Sequence, residues 1–106
     1  MRLLSRNEEI VLIAVWRLED NAYGVTIREK VTEMTGQDWS FGQVYVPLDK
    51  LTQKGFVHKD LSEPTAQRGG RSKCMYTLSR DGKEALKQIR KVQDALWDGI
   101  PKIAFD

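Results

Sequence analysis

Cysteine is nearly absent from this chain, with Cys74 alone among 106 residues. A single thiol closes no internal disulfide and builds no cysteine-rich zinc site, which excludes disulfide scaffolds and metal-folded modules and points to a cytoplasmic compartment. Histidine is equally scarce. His58 has no serine, aspartate or cysteine partner at a motif spacing, so a structural or surface role outweighs a catalytic one. Long apolar runs are missing too: the longest, Ile10 to Trp16, is about one third of a bilayer-spanning helix. The start, Met1-Arg2-Leu3-Leu4, lacks the apolar stretch and cleavage site of a signal peptide. No repeat, low-complexity tract or linker divides the sequence, so its length implies one compact unit with one core.

No single sign of charge dominates, with 17 Lys/Arg against 15 Asp/Glu. The distribution is uneven, however. Residues 1–39 hold five basic and seven acidic side chains, residues 40–80 seven and three, and residues 81–106 five and five, which gives −2, +4 and 0. A basic middle third suits a polyanion, because each neutralised phosphate releases counterions. An ordinary solvated face accounts for the same numbers.

The apolar pattern divides the chain into elements. Ser5-Arg6-Asn7-Glu8 forms a capping box, and the apolar positions from Ile10 to Leu18 cover more than one side of the helix that follows. That helix is central, or it meets a partner chain. Asn21 to Gly24 reads as a turn, and Ile27, Val31 and Met34 mark a second helix ending at Gly36. Ser40 caps a third, in which Phe41, Val44, Leu48 and Leu51 share one face and Gln43, Lys50 and Lys54 another, with a stop at Lys54-Gly55. Pro47 in its middle predicts, on propensity alone, a kink or break.

Phe56 to Leu61 and Cys74 to Leu78 alternate as two short strands. The segment between them carries Pro64, Arg68, Gly69, Gly70, Arg71 and Lys73, too long for a tight turn and basic. Ser79 caps a last helix with an apolar seam of Leu86, Ile89, Leu96, Ile100 and Ile103, interrupted by Gln93 and bent or ended at Pro101. Three helices, a hairpin and a fourth helix describe a mainly α chain with a small β-hairpin, a winged helix-turn-helix with a C-terminal helix.

Little in this pattern suits catalysis. Cys74 fits an alternating core strand, Gly69-Gly70-Arg71-Ser72-Lys73 lacks the glycine-lysine-serine order of a phosphate loop, and the acidic pairs sit at helix ends. No enzyme, metal site or cofactor is expected. Duplex DNA suits the rest. On the third helix, Ser40, Gln43, Lys50 and Lys54 can reach base edges or phosphates, while Arg68, Gly69, Gly70, Arg71 and Lys73 form a wing that approaches the backbone closely. Tyr23, at the start of the second helix, can add a phosphate contact, and Tyr45 divides between packing and the backbone.

The chain resembles PadR-type transcriptional regulators in Leu12-Ile13-Ala14-Val15-Trp16-Arg17-Leu18, Ala22-Tyr23-Gly24-Val25-Thr26-Ile27, Ser40-Phe41-Gly42-Gln43-Val44-Tyr45-Val46-Pro47-Leu48, Leu51-Thr52-Gln53-Lys54-Gly55-Phe56-Val57, and Arg68-Gly69-Gly70-Arg71 with Tyr76-Thr77-Leu78-Ser79. The Tyr-x-Pro-Leu pattern followed by Leu-x-x-Lys-Gly is its most specific part, and members of the family commonly keep this proline inside the recognition helix. The resemblance implies a bacterial homodimer, usually a repressor, that binds an inverted-repeat operator and is released by a signal. It assigns 1–80 to DNA binding and 81–106 to a dimerisation helix within the same compact unit. Leu86, Ile89, Val92, Leu96 and Trp97 are then expected to meet Leu3, Leu4, Val11 and Val15 of the partner. Some drug-sensing relatives stack flat aromatic ligands on a tryptophan of this helix; Trp97, with Trp16, is the match, and interface packing is the alternative. A winged-helix protein-interaction module without DNA is the other functional class open to such a sequence.

Overall fold

The computed structural model describes residues 4–61 and 73–101. In chain order it contains α1 (Arg6–Leu18), a short 3₁₀ turn (Glu19–Asn21), α2 (Gly24–Thr35), α3 (Phe41–Gln53), β1 (Val57–Leu61), β2 (Cys74–Leu78) and α4 (Arg80–Trp97). This is the helix-helix-helix-hairpin-helix order expected of a winged helix. Leu3, the wing residues Arg68, Gly69, Gly70 and Arg71, and Ile103 lie outside the described residues.

Each helix starts where a side chain replaces missing backbone partners. In α1 the Ser5 hydroxyl accepts from the Glu8 amide at 3.2 Å while the Glu8 carboxylate accepts from the Ser5 amide at 2.9 Å. Ser40 and Gln43 repeat the device at α3, and the Ser79 hydroxyl accepts from the Gly82 amide at 3.0 Å. Gly36 closes α2 in the left-handed region, φ 70°, where a Cβ is penalised.

The core surrounds α1. Val11, Leu12, Ala14 and Val15 are each at most 1% exposed, packed with Ile27 and Val31 of α2, Val44, Leu48 and Leu51 of α3, and Tyr76 of β2. This corrects one expectation: Val11 and Val15 are consumed by the protomer's own core and present no surface to a partner. The strands pair antiparallel, Val57 opposite Leu78 through Leu61 opposite Cys74. The Tyr76 amide also donates to the Ala22 carbonyl at 2.8 Å, which ties the hairpin to the turn before α2.

Two helices depart from the periodicity argument. Pro47 does not break α3, which is continuous from Phe41 to Gln53 with the ring buried. The carbonyl that loses its donor, four residues earlier, belongs to the exposed Gln43, where solvent can replace it. In α4 the helix stops at Trp97, so Ile100 lies beyond it and the long seam is shorter than expected. Gln93, an interruption in sequence, donates its side-chain amide to the Glu9 carboxylate at 2.7 Å and fastens α4 to α1.

The corner between α3, β1 and α4 is tightly built. Ser79 donates its hydroxyl to the Gly55 carbonyl at 2.6 Å and its amide to the Phe56 carbonyl at 3.0 Å, and Gly82 lies against that same Phe56 carbonyl. A Cβ on Gly82 would overlap the carbonyl oxygen, and backbone has nowhere to retreat. Gly82→Ala is therefore expected to destabilise the fold by about 1–3 kcal/mol despite its better helix propensity. Urea unfolding measures this; a midpoint equal to or above wild type would contradict the packing.

Candidate nucleic-acid interface

The residues that could meet DNA gather around α3. Val44, Pro47, Leu48 and Leu51 turn inward and are buried, so the opposite side carries Gly42, Val46, Asp49, Lys50 and Gln53, all exposed. Ser40 and Gln43 are exposed at its start, but they are engaged with one another: the Gln43 side-chain oxygen accepts from the Ser40 amide at 2.8 Å, and the Ser40 hydroxyl accepts from the Gln43 amide at 3.1 Å. Only the side-chain NH₂ of Gln43 stands outside that cap.

Phe41 corrects the sequence reading, which put it on the core face. It is 43% exposed, because it opens the helix beyond the edge of the core. Its ring stacks with Tyr45, centroids 6.3 Å apart at 24°, and the Arg28 guanidinium lies 4.9 Å from its centroid. Arg28 is held in place by donating to the Trp39 carbonyl at 2.6 Å and to Asp38 at 3.2 Å. On the other side of Tyr45, its hydroxyl covers Gly24, whose missing Cβ is what admits it. Tyr23 follows as the N-cap of α2, with the Lys73 ammonium 4.3 Å over its ring.

Lys73, Tyr23, Tyr45, Phe41 and Arg28 thus form a strip of three rings with a cation at each end beside the outward face of α3. Sequence reasoning named Tyr23, Tyr45 and Lys73 but missed Arg28, Phe41 and Val46. Nothing in the linear pattern marks Arg28, whose position depends on the tertiary approach of α2 to the α3 start.

Lys54 caps the end of α3, and its ammonium pairs with the Glu8 carboxylate at 2.6 Å rather than projecting with Lys50. Burial alone would push the Glu8 carboxyl up; the Lys54 ammonium and the Ser5 amide and hydroxyl outweigh it and hold the group below its ordinary 4.5. Beneath α3, burial pushes the Tyr76 hydroxyl up to about 12, with Cys74, Tyr45 and Asp49 adding to the effect.

A second feature lies between α1 and α4. A groove of about 710 Å³ is lined by Ile13 and Trp16 from α1 and by Leu86 and the stems of Lys83, Lys87 and Arg90 from α4. Lys83 sits 6.0 Å from the Trp16 ring centroid. Trp97 is not part of this lining, so the two tryptophans assigned to a ligand are not brought together within one protomer. Leu4 packs partly buried against the core, and Leu86 and Ile89 are 8% and 7% exposed, whereas Val92, Leu96 and Trp97 remain open. Among the described residues no group of His, Cys, Asp or Glu is arranged to hold a metal, and no helix is long and apolar enough to cross a membrane.

A hairpin wing beside a capped third helix, with α1 at the centre, defines a winged-helix protein of the DNA-binding type. Its family follows from the sequence: a model of the transcriptional regulator PadR-like family matches residues 12–88, and the chain belongs to that family, whose members are transcriptional regulators rather than enzymes. Among solved structures, a PadR family regulator from Clostridium difficile is 21% identical with a TM-score of 0.69, the match covering 93% of this chain and 98% of that one. A PadR-like transcription factor from Bacteroides fragilis is 19% identical over 84% and 81%, TM-score 0.72, and RosR of H. salinarum 24% identical over 94% and 83%, TM-score 0.70. These likenesses are of fold. No curated protein matches the chain.

The Glu8–Lys54 pair generates a pH prediction. A carboxylate whose pKa is depressed on folding stabilises above its unfolded value and loses that contribution as pH falls through the folded value. Lys54→Met leaves Glu8 buried without its cation and is expected to cost about 1–2 kcal/mol near pH 7, less than a fully buried pair because Lys54 is partly solvated. The deficit should shrink as pH falls, because Glu8 in the variant, buried and without the ammonium, takes up its proton at higher pH than in the wild type. Urea titrations from pH 7 to 3 check this; a deficit that stays constant with pH would contradict the pairing.

Proposed function

We propose that the chain is a cytoplasmic bacterial repressor that binds an inverted-repeat operator as a homodimer, with residues 1–80 forming the DNA-binding part and 81–106 the dimerisation helix of one compact unit. The exposed side of α3, rigidly capped and flanked by Lys50 and by the strip from Lys73 to Arg28, is the observation that carries this reading. An α-helix of ordinary width enters the major groove, where Gln43 and Lys50 stand toward base edges and phosphates. Ser40, Tyr23 and Tyr45 stand at the groove's edge, with the wing residues Arg68, Gly69, Gly70, Arg71 and Lys73 on the adjoining backbone.

Support for the dimer comes from α4. The molecule extends 55 × 30 × 20 Å with a radius of gyration of 15.8 Å, against about 13 Å for a compact chain of this length. The far half of α4 leaves Val92, Leu96 and Trp97 36%, 68% and 56% exposed, an apolar surface of the kind that a partner covers. A two-fold arrangement sets two α3 helices into successive major grooves, about 34 Å apart. The α1/α4 groove, with Trp16, has the size and apolar character of a site for a flat aromatic effector, which Trp97 reaches only across the dimer.

Fluorescence anisotropy on a labelled duplex from upstream of the gene, with random competitor and a salt series, tests the central reading. Competitor-resistant, salt-dependent binding is expected; loss to any competitor, or none at low salt, would favour a protein-interaction module instead. Lys50→Ala should weaken all duplexes and lower the salt slope by about 0.9, while Lys54→Met, its charge already neutralised by Glu8, should leave the slope unchanged. Light scattering of Leu96→Asp should report a monomer that has lost operator affinity. A dimer of unchanged affinity would remove α4 from the interface. Planar aromatic cations should quench wild-type tryptophan fluorescence more strongly than that of Trp16→Phe, and equal quenching would remove Trp16 from the effector site.

A further inference from the structure

We propose that Val46 reads thymine, its two methyl groups seating against the 5-methyl group of a thymine in the major groove. This rests on the DNA-binding reading and adds the chemistry by which α3 distinguishes sequences. At 3.6 residues per turn, Val46 lies about 200° round the helix from Val44, whose side chain is fully buried, so it stands near the outward pole of α3. It is 58% exposed, the largest exposure among the apolar residues of the helix, and nothing in the fold accounts for an apolar group there.

Its neighbours favour a base edge over the phosphate backbone. Gly42, one turn earlier on the same side, has only the Ser40 hydroxyl within 4 Å of the place a Cβ would occupy, so the helix can lie deep in the groove. Asp49 follows on that side; a carboxylate repels phosphates but accepts from a cytosine amino group. Lys50, one turn after Val46, is the cation on this side, and its long stem carries the charge past the pole toward a phosphate, whereas Lys54 is paired with Glu8 and Arg28 is held by Trp39 and Asp38. Gln43, the polar residue best suited to an adenine edge, has its oxygen engaged in the Ser40 cap and so lacks half of the bidentate pair such recognition uses. Between Gly42 and these longer polar side chains, Val46 is the short apolar group at the pole, and its complement in the major groove is the thymine methyl.

The test begins with a duplex isolated from a random-sequence pool by the full-length protein. Each thymine in the protected region is then replaced singly by deoxyuridine, which removes only the methyl. Wild type should lose about fourfold in affinity at one thymine per half-site, the worth of burying one methyl group. Val46→Ala, an exposed helical change that keeps the fold, should bind the thymine duplex more weakly and no longer distinguish thymine from uracil at that position. Deoxyuridine without effect at every position, a protected region without thymine, or the same uracil penalty in Val46→Ala would overturn the assignment while leaving DNA binding intact. Failure to enrich any duplex would overturn the DNA-binding reading with it.

Discussion

Burial of α1 from several directions is the constraint on which the other elements depend. Val11, Leu12, Ala14 and Val15 are enclosed, α2, α3, β2 and α4 all pack against the helix, and only the side with Ile13 and Trp16 opens to the α1/α4 groove. A helix so enclosed cannot slide without opening the core, because interiors packed at native density have few voids to absorb a shift. Its N-terminus is fixed as well. Glu8 serves the capping box and at the same time receives Lys54 from the end of α3, so one buried carboxylate sets where α1 begins and where the third helix ends.

That anchoring explains how α3 presents its outer side rigidly. Both ends are determined, one by the reciprocal Ser40 and Gln43 cap and the other by the Lys54 pair. The three rings between Lys73 and Arg28 then brace its flank, each of the two cation–ring contacts worth about 0.5–1 kcal/mol at such exposure. On the proposed reading, fewer side chains must be ordered when DNA binds, because Gln43, Tyr45 and Arg28 already occupy fixed positions. The same economy limits chemistry: groups committed to the fold are unavailable for direct readout, which shifts discrimination toward Val46 and Lys50.

The element order was legible because its signals are local. Ser5, Ser40 and Ser79 announce helix starts, Gly36 a helix end, and alternation the two strands. Pro47 was misjudged by propensity, since tertiary burial of its ring offsets one absent backbone bond. The site was less legible because its geometry is non-local. Lys54 shares a helical face with Lys50 in projection, yet Glu8, 46 residues away, takes its charge. Phe41 follows the core stripe by spacing but lies past the core's edge, and Val11 and Val15, expected at a dimer surface, are claimed by the protomer itself. Gln93 breaks an apolar seam in order to hold Glu9. Where partners are distant in sequence, residue type and period do not identify them.

The most direct measurement is a backbone amide chemical-shift map of the labelled protein titrated with a selected duplex. Docking through the outward side of α3 predicts the largest changes at Gly42, Gln43, Val46 and Lys50, with smaller ones at Tyr23 and Arg28 and little along the α1/α4 groove. Changes concentrated on α4 or around Trp16, with α3 unmoved, would contradict the account and place the nucleic acid, or whatever else binds, on a different face.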